Sequence, residues 1–548
     1  MAAGVNPFYH YITSGAAEAR PGSAHEAIRR AIAPHFDREF YLQRNPDIAA
    51  TSQDALDHYI KAGWREGRWP TPDFDTDYYV RANPDVIAAG MNPFQHYVVA
   101  GKREGRRAKA PFSAIRAVVA ETHDLQFARL SPSRGNSEPP TLLTSDEFKR
   151  VLGLVEGRRA VVSLSHDEYT KNVGGVQIRV SDEQSAINQA GAAYIHFAPA
   201  RPVLHVRDDK DFDALALALT IDGTSVGAVR AVDVLDELSQ IVSDRAPTMT
   251  LVVHSLLGHS IPFIQALAER IRPAESIVWL HDFSTLCTNY SLLRNNLAFC
   301  GLPPVDSPMC QVCAFGDTRR ADVALIEALF EALNPVVMAP SQAAMDFWRR
   351  NARYRHRRTV VAPHAAPMLT GTLPPAAAQR ALRVAHVGAP AIHKGWLEYQ
   401  ELAADFSGDP RYSFYLLSVA PPAYLKNVQH VPVSVTRGDR GAMIEALKTH
   451  EIDVVVHWTL CYETYSFTAW ESILAGSFVV AQKQSGNAAV LIRENNAGLL
   501  LDDCAELNQL FASDRLVEAV RRHRAAGAPV GHLAPADMAD QILGGAAQ

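Results

Sequence analysis

From residue 158 onward the chain alternates short continuous apolar runs with stretches of helical period, and few folds accommodate that alternation. Ala160-Val161-Val162-Ser163-Leu164-Ser165 reads as a buried strand. A polar loop with Gly174-Gly175, a helix to Ala190 and a second strand over 193–197 follow. Residues 249–254, 276–280 and 335–339 continue the strand series, with helical patterns at 261–271 and 321–332 between them. After Pro363 comes HAAPMLTGTLPPAAAQR, rich in Pro, Ala and Thr. The series then restarts with a strand over 382–387 closing on Gly388, strands at 413–418, 453–456 and 478–481, and helices at 441–450 and 467–475. Strands alternating with helices pair in parallel, because each crossover helix returns the chain to the same sheet edge. Two parallel α/β halves are therefore expected, facing one another across a cleft, with ligands outside the carboxyl ends of the strands.

The front of the chain repeats itself. FDREFYLQRNPDI and FDTDYYVRANPDV lie 38 residues apart, and His58-Tyr59, Gly63 and Glu66-Gly67-Arg68 recur at that offset as His96-Tyr97, Gly101 and Glu104-Gly105-Arg106. A partial earlier copy holds His10-Tyr11, Gly15, Glu18 and Arg20. Acidic caps, an Asn-Pro break and a closing glycine predict two short helices per unit, with Gly63 and Gly101 as C-caps. The His, Tyr, Glu and Arg are expected to pack and pair between neighbouring units, with a carbohydrate, protein or cell-envelope contact surface as the alternative. Such NPD…HY…G…EGR units resemble those found beside glycosyltransferase domains in bacterial polysaccharide proteins.

The predicted layout is a helical repeat region over 1–110, a connector over 111–157, a first α/β domain over 158–366, a linker over 367–381, a second α/β domain over 382–505 and carboxyl-terminal helices over 506–548. A net charge of −6, from 53 Lys and Arg against 59 Asp and Glu, argues against nucleic acid as the main partner. No apolar stretch approaches the roughly 20 residues of a membrane span, and the start has no secretory pattern, so a cytoplasmic location is expected. The basic stretch from Arg349 to Arg358 could place the protein peripherally at the inner membrane.

Chemistry is expected after the strand at 453–456, where HWTLCYETYSFTAWESILAGSFVVA carries Glu463 and Glu471 separated by seven residues. A strand-end loop with Glu463 can reach a polar ligand. The helix start near Thr464, Tyr465, Ser466 and Phe467 offers backbone N–H groups and a positive dipole end suited to phosphate. Glu471, a turn into that helix, is placed to accept hydrogen bonds from ribose hydroxyls. Gly174-Gly175, at the first strand–helix turn, would let backbone approach a donor phosphate or an acceptor. His281-Asp282 ends another strand.

The ETYSFTAWE stretch resembles the Glu-x7-Glu motif of the retaining glycosyltransferases of the GT-B fold, family 4. VGAPAIHKGW matches the family's Lys-Gly six positions beyond a strand-end Gly, here Gly388 and Lys394, and VVMAPSQAAMDFW matches the element that closes the amino-terminal half. These matches span roughly 158 to 505. The resemblance implies two Rossmann-like domains facing a cleft, after a small all-α repeat region. It also implies transfer of a sugar from a nucleoside-diphosphate sugar to a glycan, lipid-linked or protein-linked acceptor with retention of configuration. Lys394 would neutralise the donor diphosphate, Glu471 would hold the ribose, Glu463 would contact the donor sugar, and His281 would line the sugar pocket. The scheme calls for no catalytic metal. Where the family has Arg after the strand-end Gly, this chain has Ala389, which leaves one phosphate charge without its usual partner. Two rivals follow: a degenerate transferase-like glycan-binding or scaffold protein, and a sugar-nucleotide epimerase or phosphorylase of the same fold.

Cys287, Cys300, Cys310 and Cys313 lie in one Pro- and Gly-containing loop with gaps of twelve, nine and two residues. Four thiolates with one C-x2-C pair can close a tetrahedral structural zinc site. Buried free thiols or a redox-sensitive disulfide are the alternatives.

Overall fold

A computed structural model of the chain describes residues 23–109, 141–155, 157–245, 248–374, 380–422, 425–536 and 538–543. The partial repeat around His10 and residues 111–140 of the connector lie outside these. The chain divides into two compact units, residues 1–118 and 119–548.

In the first unit each repeat has three short helices rather than two. Asp37 caps Arg38–Arg44, Pro46–Ala49 forms its own turn after Asn45, and Asp54 caps Ala55–His58, which runs into a π-helical turn at Tyr59–Gly63. The second repeat copies this as Thr76–Ala82, Pro84–Ala88 and Pro93–His96 with Tyr97–Gly101. Proline lacks an N–H and suits the first turn of a helix, so Asn-Pro starts an element here instead of interrupting one.

The signature His, Glu and Arg pair within a repeat, while the signature Tyr59 reaches the next one. Tyr41 Oη lies 2.8 Å from His58 Nδ1, and Arg68 bonds Asn45, Asp47 and Glu66. Tyr79–His96 and the contacts of Arg106 with Asn83, Asp85 and Glu104 repeat the pattern. Gly63 and Gly101 are required by contact rather than by conformation: a Cβ there would sit 2.3 and 2.0 Å from the tyrosine hydroxyls. Gly67 and Gly105 hold the left-handed conformation instead, as does Gly90 in the second repeat. Between repeats, Tyr59 meets Phe94 ring to ring and its hydroxyl reaches Thr76.

The second unit holds two sheets. Strands of the first half are β1 (Ala160–Leu164), β2 (Ala193–Pro199), β3 (Ala216–Ile221), β4 (Thr224–Arg230), β5 (Met249–Val253) and β6 (Glu275–Trp279). A small hairpin of β7 (Leu293–Arg294) and β8 (Ala298–Phe299) precedes β9 (Val336–Ala339) and β10 (Arg358–Val361). The sheet order is β10-β9-β6-β5-β1-β2-β3-β4, parallel from β10 to β2. Every residue of β1, β2 and β5 is buried. Helices cover both faces of a parallel sheet, which explains continuous apolar runs in place of alternation. The antiparallel edge β3–β4 turns on Asp222-Gly223, both at positive φ (46° and 85°), in the two-residue turn that matches strand twist.

After β11 (Ala365–Thr372), the second half contains β12 (Leu382–Val387), β13 (Tyr412–Ser418), β14 (Gln429–Pro432), β15 (Val454–His457), β16 (Phe478–Gln482) and β17 (Gly498–Leu501). These last six form an all-parallel sheet ordered β14-β13-β12-β15-β16-β17. The crossing between halves is a structured ribbon: β11 pairs antiparallel with β18 (Pro529–Pro535), so the segment expected as a plain linker and the tail expected to be helical each contribute a strand. Beyond β18, Met538, Ala539 and Ile542 pack into the core of the first half beside Val161 and Tyr194. This is the GT-B architecture, two Rossmann-like domains about a cleft.

Candidate functional site

The cleft is built at the carboxyl ends of both sheets. In the first half, β1 leads through a loop to α1 (Gly175–Gln189), with Gly174 as its extended N-cap. In the second, β15 leads to α2 (Phe467–Leu474), capped by Ser466. The two helix starts meet across the seam, since a Cβ on Gly175 would lie 3.3 Å from the Phe467 ring. Ser466 sits in the left-handed region at φ 69°, a conformation a non-glycine residue holds only under constraint. The constraint is visible: Ser466 Oγ bonds His457 Nε2 at 3.2 Å and Thr468 Oγ1 reaches His457 Nδ1 at 3.4 Å. Burial drives His457 down to about 4, so it is neutral at pH 7.

Lys394 and Glu463 form the charged centre. β12 ends at Gly388, whose φ of 96° favours glycine, and the chain turns through Ile392–Lys394 and Gly395 into the next helix. The Leu460 N–H and the Thr459 hydroxyl both donate to the His393 carbonyl and tie this turn to the loop after β15. Lys394 Nζ consequently stands 2.6 Å from Glu463 Oε1. Burial would raise the Glu463 carboxyl, but Lys394 and His457 pull it down to about 2. Burial would lower Lys394, and the Glu463 charge more than reverses that. The lysine side chain remains 37% exposed, and an ammonium has three donors, so two stay available to a ligand. The pair lines a pocket of about 250 Å³ together with His281, Asp282, Tyr290 and Cys461.

Glu471 is a buried carboxylate, 6% exposed, on the second turn of α2. Its carboxyl is raised to about 7, with burial as the cause. Gly388 lies beside the same helix start, where a Cβ would come within 3.7 Å of the Thr468 methyl group.

Thr464, Tyr465 and Ser466 do not offer their side chains to a phosphate. Thr464 Oγ1 donates to the His281 carbonyl at 2.7 Å and its own carbonyl accepts from Ser341 Oγ at 2.6 Å. Tyr465 Oη binds both the N–H and the carbonyl of Ala365, and Ser466 caps the helix. Thr464 and Tyr465 stitch the motif loop to the first half and the ribbon, leaving backbone N–H groups as the available donors. A bidentate Arg440–Asp182 ion pair and Arg437 above the Tyr169 ring, 5.4 Å from its centroid, join the halves nearby. His457 and Asn487, whose Nδ2 bonds the Tyr465 carbonyl at 2.6 Å, were missed from sequence, while Ser341 was read only as part of the element closing the first half. Only His457, opening the motif at a strand end, carried a local signal.

His281 lines the pocket, but both ring nitrogens are engaged inside the protein, Nε2 with His254 at 3.0 Å and Nδ1 with His364 at 3.1 Å. The four cysteines converge on one pocket of about 20 Å³. Among the described residues, however, no group of three or more His, Cys, Asp or Glu is placed to hold a metal ion. Arg319 Nη1 contacts Cys310 Sγ at 2.8 Å, and burial pushes the Cys287 thiol up to about 12. All four are free cysteines here, and elemental analysis decides between the zinc site and free thiols.

No family model and no curated protein matches this chain. Among solved structures, the chain is similar to the pneumococcal O-GlcNAc transferase GtfA in complex with UDP and GlcNAc, at 8% identity and a TM-score of 0.40 over 68% of this chain and 95% of that one. It is also similar to HepE of Anabaena in complex with UDP-glucose, at 12% identity and a TM-score of 0.40 over 70% and 95%. An α,α-trehalose-phosphate synthase (UDP-forming) from Burkholderia vietnamiensis aligns at 15% identity and a TM-score of 0.38 over 67% and 92%.

Proposed function

We propose that the protein is a glycosyltransferase that moves a sugar from a nucleoside-diphosphate donor to a hydroxyl of a glycan, lipid-linked or protein-linked acceptor, with retention of configuration. The observation that carries this reading is Glu471: a buried carboxylate raised to about 7 by burial, set one turn behind a helix start and beside Gly388. Two ribose hydroxyls would supply the donors that a buried carboxylate needs. The diphosphate then falls on the backbone N–H groups at the start of α2, where the helix dipole favours negative charge.

Breaking the glycosidic bond leaves charge on the outer phosphate. Lys394 is placed to meet that charge with the donors Glu463 does not occupy, and an interaction that strengthens as charge develops accelerates the chemical step. Glu463 holds Lys394 in position and would contact the sugar in the pocket that both residues line. The first half, through the start of α1, would carry the acceptor. Among the described residues no helix is long and apolar enough to cross a membrane.

The test is a thermal-shift screen with UDP, GDP, ADP and TDP on the wild type and on Glu471→Ala. A ligand at 100 times its Kd stabilises by about 2.7 kcal/mol. One preferred nucleotide should give a clear shift in the wild type and none in the variant. Equal shifts in both would remove Glu471 from the nucleotide site.

A further inference from the structure

Beside the pocket of Lys394 and Glu463, the first half carries a second and larger cavity of about 390 Å³, a size that takes a small ligand. It lies past the carboxyl ends of β2 and β5. Pro199, Leu215, Leu217 and Phe263 give it apolar walls, and its charged side chains are Arg201 and Arg207. Among the described residues that line it, none is acidic. His259, also in the wall, is brought down to about 4 by burial and adds no charge at pH 7.

Backbone bonds hold the cavity open by tying the loop after β2 to the loop after β5. The Gly258 N–H donates to the His205 carbonyl at 2.8 Å, the Arg207 N–H to the His259 carbonyl at 3.1 Å and the Ile261 N–H to the Arg207 carbonyl at 3.0 Å. Gly258 permits this approach: its φ is 79°, and a Cβ there would lie 2.7 Å from Pro199 Cγ and 3.2 Å from the Val203 carbonyl oxygen. The helix Ile261–Ile271 starts at the cavity but has no donor to spare. Pro262 lacks an N–H, Ile261 bonds Arg207, and the Phe263 and Ile264 N–H groups both bond Ser260. Recognition of a charged ligand therefore falls to the two guanidinium groups.

Arg207 gives its Nε–H to Asp209 Oδ2 at 2.6 Å, which orients the group and leaves four N–H donors. Arg201 is exposed, and its guanidinium has no partner among the described residues. Asp209 offsets one of the two charges, so the cavity stays positive. A planar guanidinium fork matches a carboxylate or a phosphate, and apolar walls suit the C–H faces of a sugar ring. The neighbouring pocket has a different balance, since Lys394 shares that lining with Asp282 and Glu463. Leu204, on the same loop as Arg201 and Arg207, lines the neighbouring pocket. One loop is thus a wall of both, and a saccharide can set a hydroxyl in the first and an acidic unit in the second.

We infer that the cavity of Arg201 and Arg207 is a subsite for an acidic acceptor, a saccharide that bears a carboxylate or a phosphate. Its service to an acceptor rests on the proposed sugar transfer; its affinity for acidic saccharides does not.

The experiment measures binding of digalacturonic acid, trehalose 6-phosphate and the neutral disaccharides maltose and trehalose to the full chain, by saturation-transfer NMR at low salt. At least one acidic ligand should bind about 10-fold or more tightly than the neutral ones. That preference should vanish in Arg201→Ala, and binding of the acidic ligand should be lost in Ala214→Trp, which fills the cavity from an exposed position in its lining. Preference for digalacturonic acid assigns a carboxylate, and preference for trehalose 6-phosphate a phosphate. Absent binding, equal binding of acidic and neutral ligands, or an acidic preference that survives Arg201→Ala and disappears in Lys394→Ala overturns the inference, the last by placing the anion in the donor pocket. An acidic saccharide that binds through Arg201 yet accepts sugar from no donor would count against the transferase reading, with the binding site standing apart.

Discussion

Replacing Glu471 by Gln should make the protein more stable while disabling its nucleotide site. The carboxyl sits at about 7 in the folded protein against an ordinary 4.5, with burial as the cause. A folded value above the unfolded one means that the native state holds its proton more tightly. The carboxyl is therefore tolerated at low pH and costs stability as pH rises through the window between the two values. At about 1.4 kcal/mol per pH unit, the cost grows from about 1 kcal/mol at pH 5 to about 3 kcal/mol at pH 8. Glutamine is nearly isosteric with the protonated acid and carries none of this. Urea unfolding of wild type and Glu471→Gln, followed by tryptophan fluorescence from pH 5 to 8, reads the difference, and titrations common to both proteins cancel. The variant should gain stability over wild type progressively across that range. A difference that does not change with pH would refute the reasoning, because the carboxylate would then be solvated or already partnered.

Other expectations are equally specific. Lys394→Ala removes the charge-assisted contact to the phosphate, worth about 1.5–3 kcal/mol, so calorimetry should show nucleoside diphosphate binding weakened about 10- to 100-fold and nucleoside binding almost unchanged. Gly63→Ala drives a methyl group into the Tyr41 hydroxyl and should destabilise the repeat unit by about 1–3 kcal/mol, with partial recovery in Gly63→Ala/Tyr41→Phe, read by limited proteolysis. Cys287, raised from 9.0 to about 12, should react with iodoacetamide about 1000-fold more slowly than an ordinary thiol, as followed by peptide mass spectrometry. A chain shortened to residues 141–548 should keep nucleotide binding, since the repeats have their own core.

Much of the scaffold was legible because continuous apolar runs of strand length have few alternatives: 382–387 and 261–271 match β12 and a helix residue for residue. The hairpin β3–β4 was not read, although Asp222-Gly223 is a turn signal, because no helix follows β2 and the βαβ rhythm breaks there. The β11–β18 ribbon was illegible for a different reason: its strands lie about 160 residues apart, as in the Thr370–Val530 bond, and one of them, Pro529–Pro535, begins and ends in proline. At the site, the motif gave Lys394, Glu463 and Glu471, whose types and spacing are local. The Lys394–Glu463 bond and the stitching role of Thr464 and Tyr465 arise from contacts between distant segments. At the cysteines, spacing gathers four residues into one pocket without deciding whether their sulfurs face an ion or Arg319.

Sugar transfer itself is the most direct test. A panel of radiolabelled nucleoside-diphosphate sugars, incubated with the protein and with cell-envelope glycan and lipid fractions, would report turnover, and proton NMR of the product would give its anomeric configuration. The expected result is transfer from one donor with retained configuration, lost in both Lys394→Ala and Glu471→Ala. Nucleotide binding without turnover from any donor, or a product of inverted configuration, would contradict it.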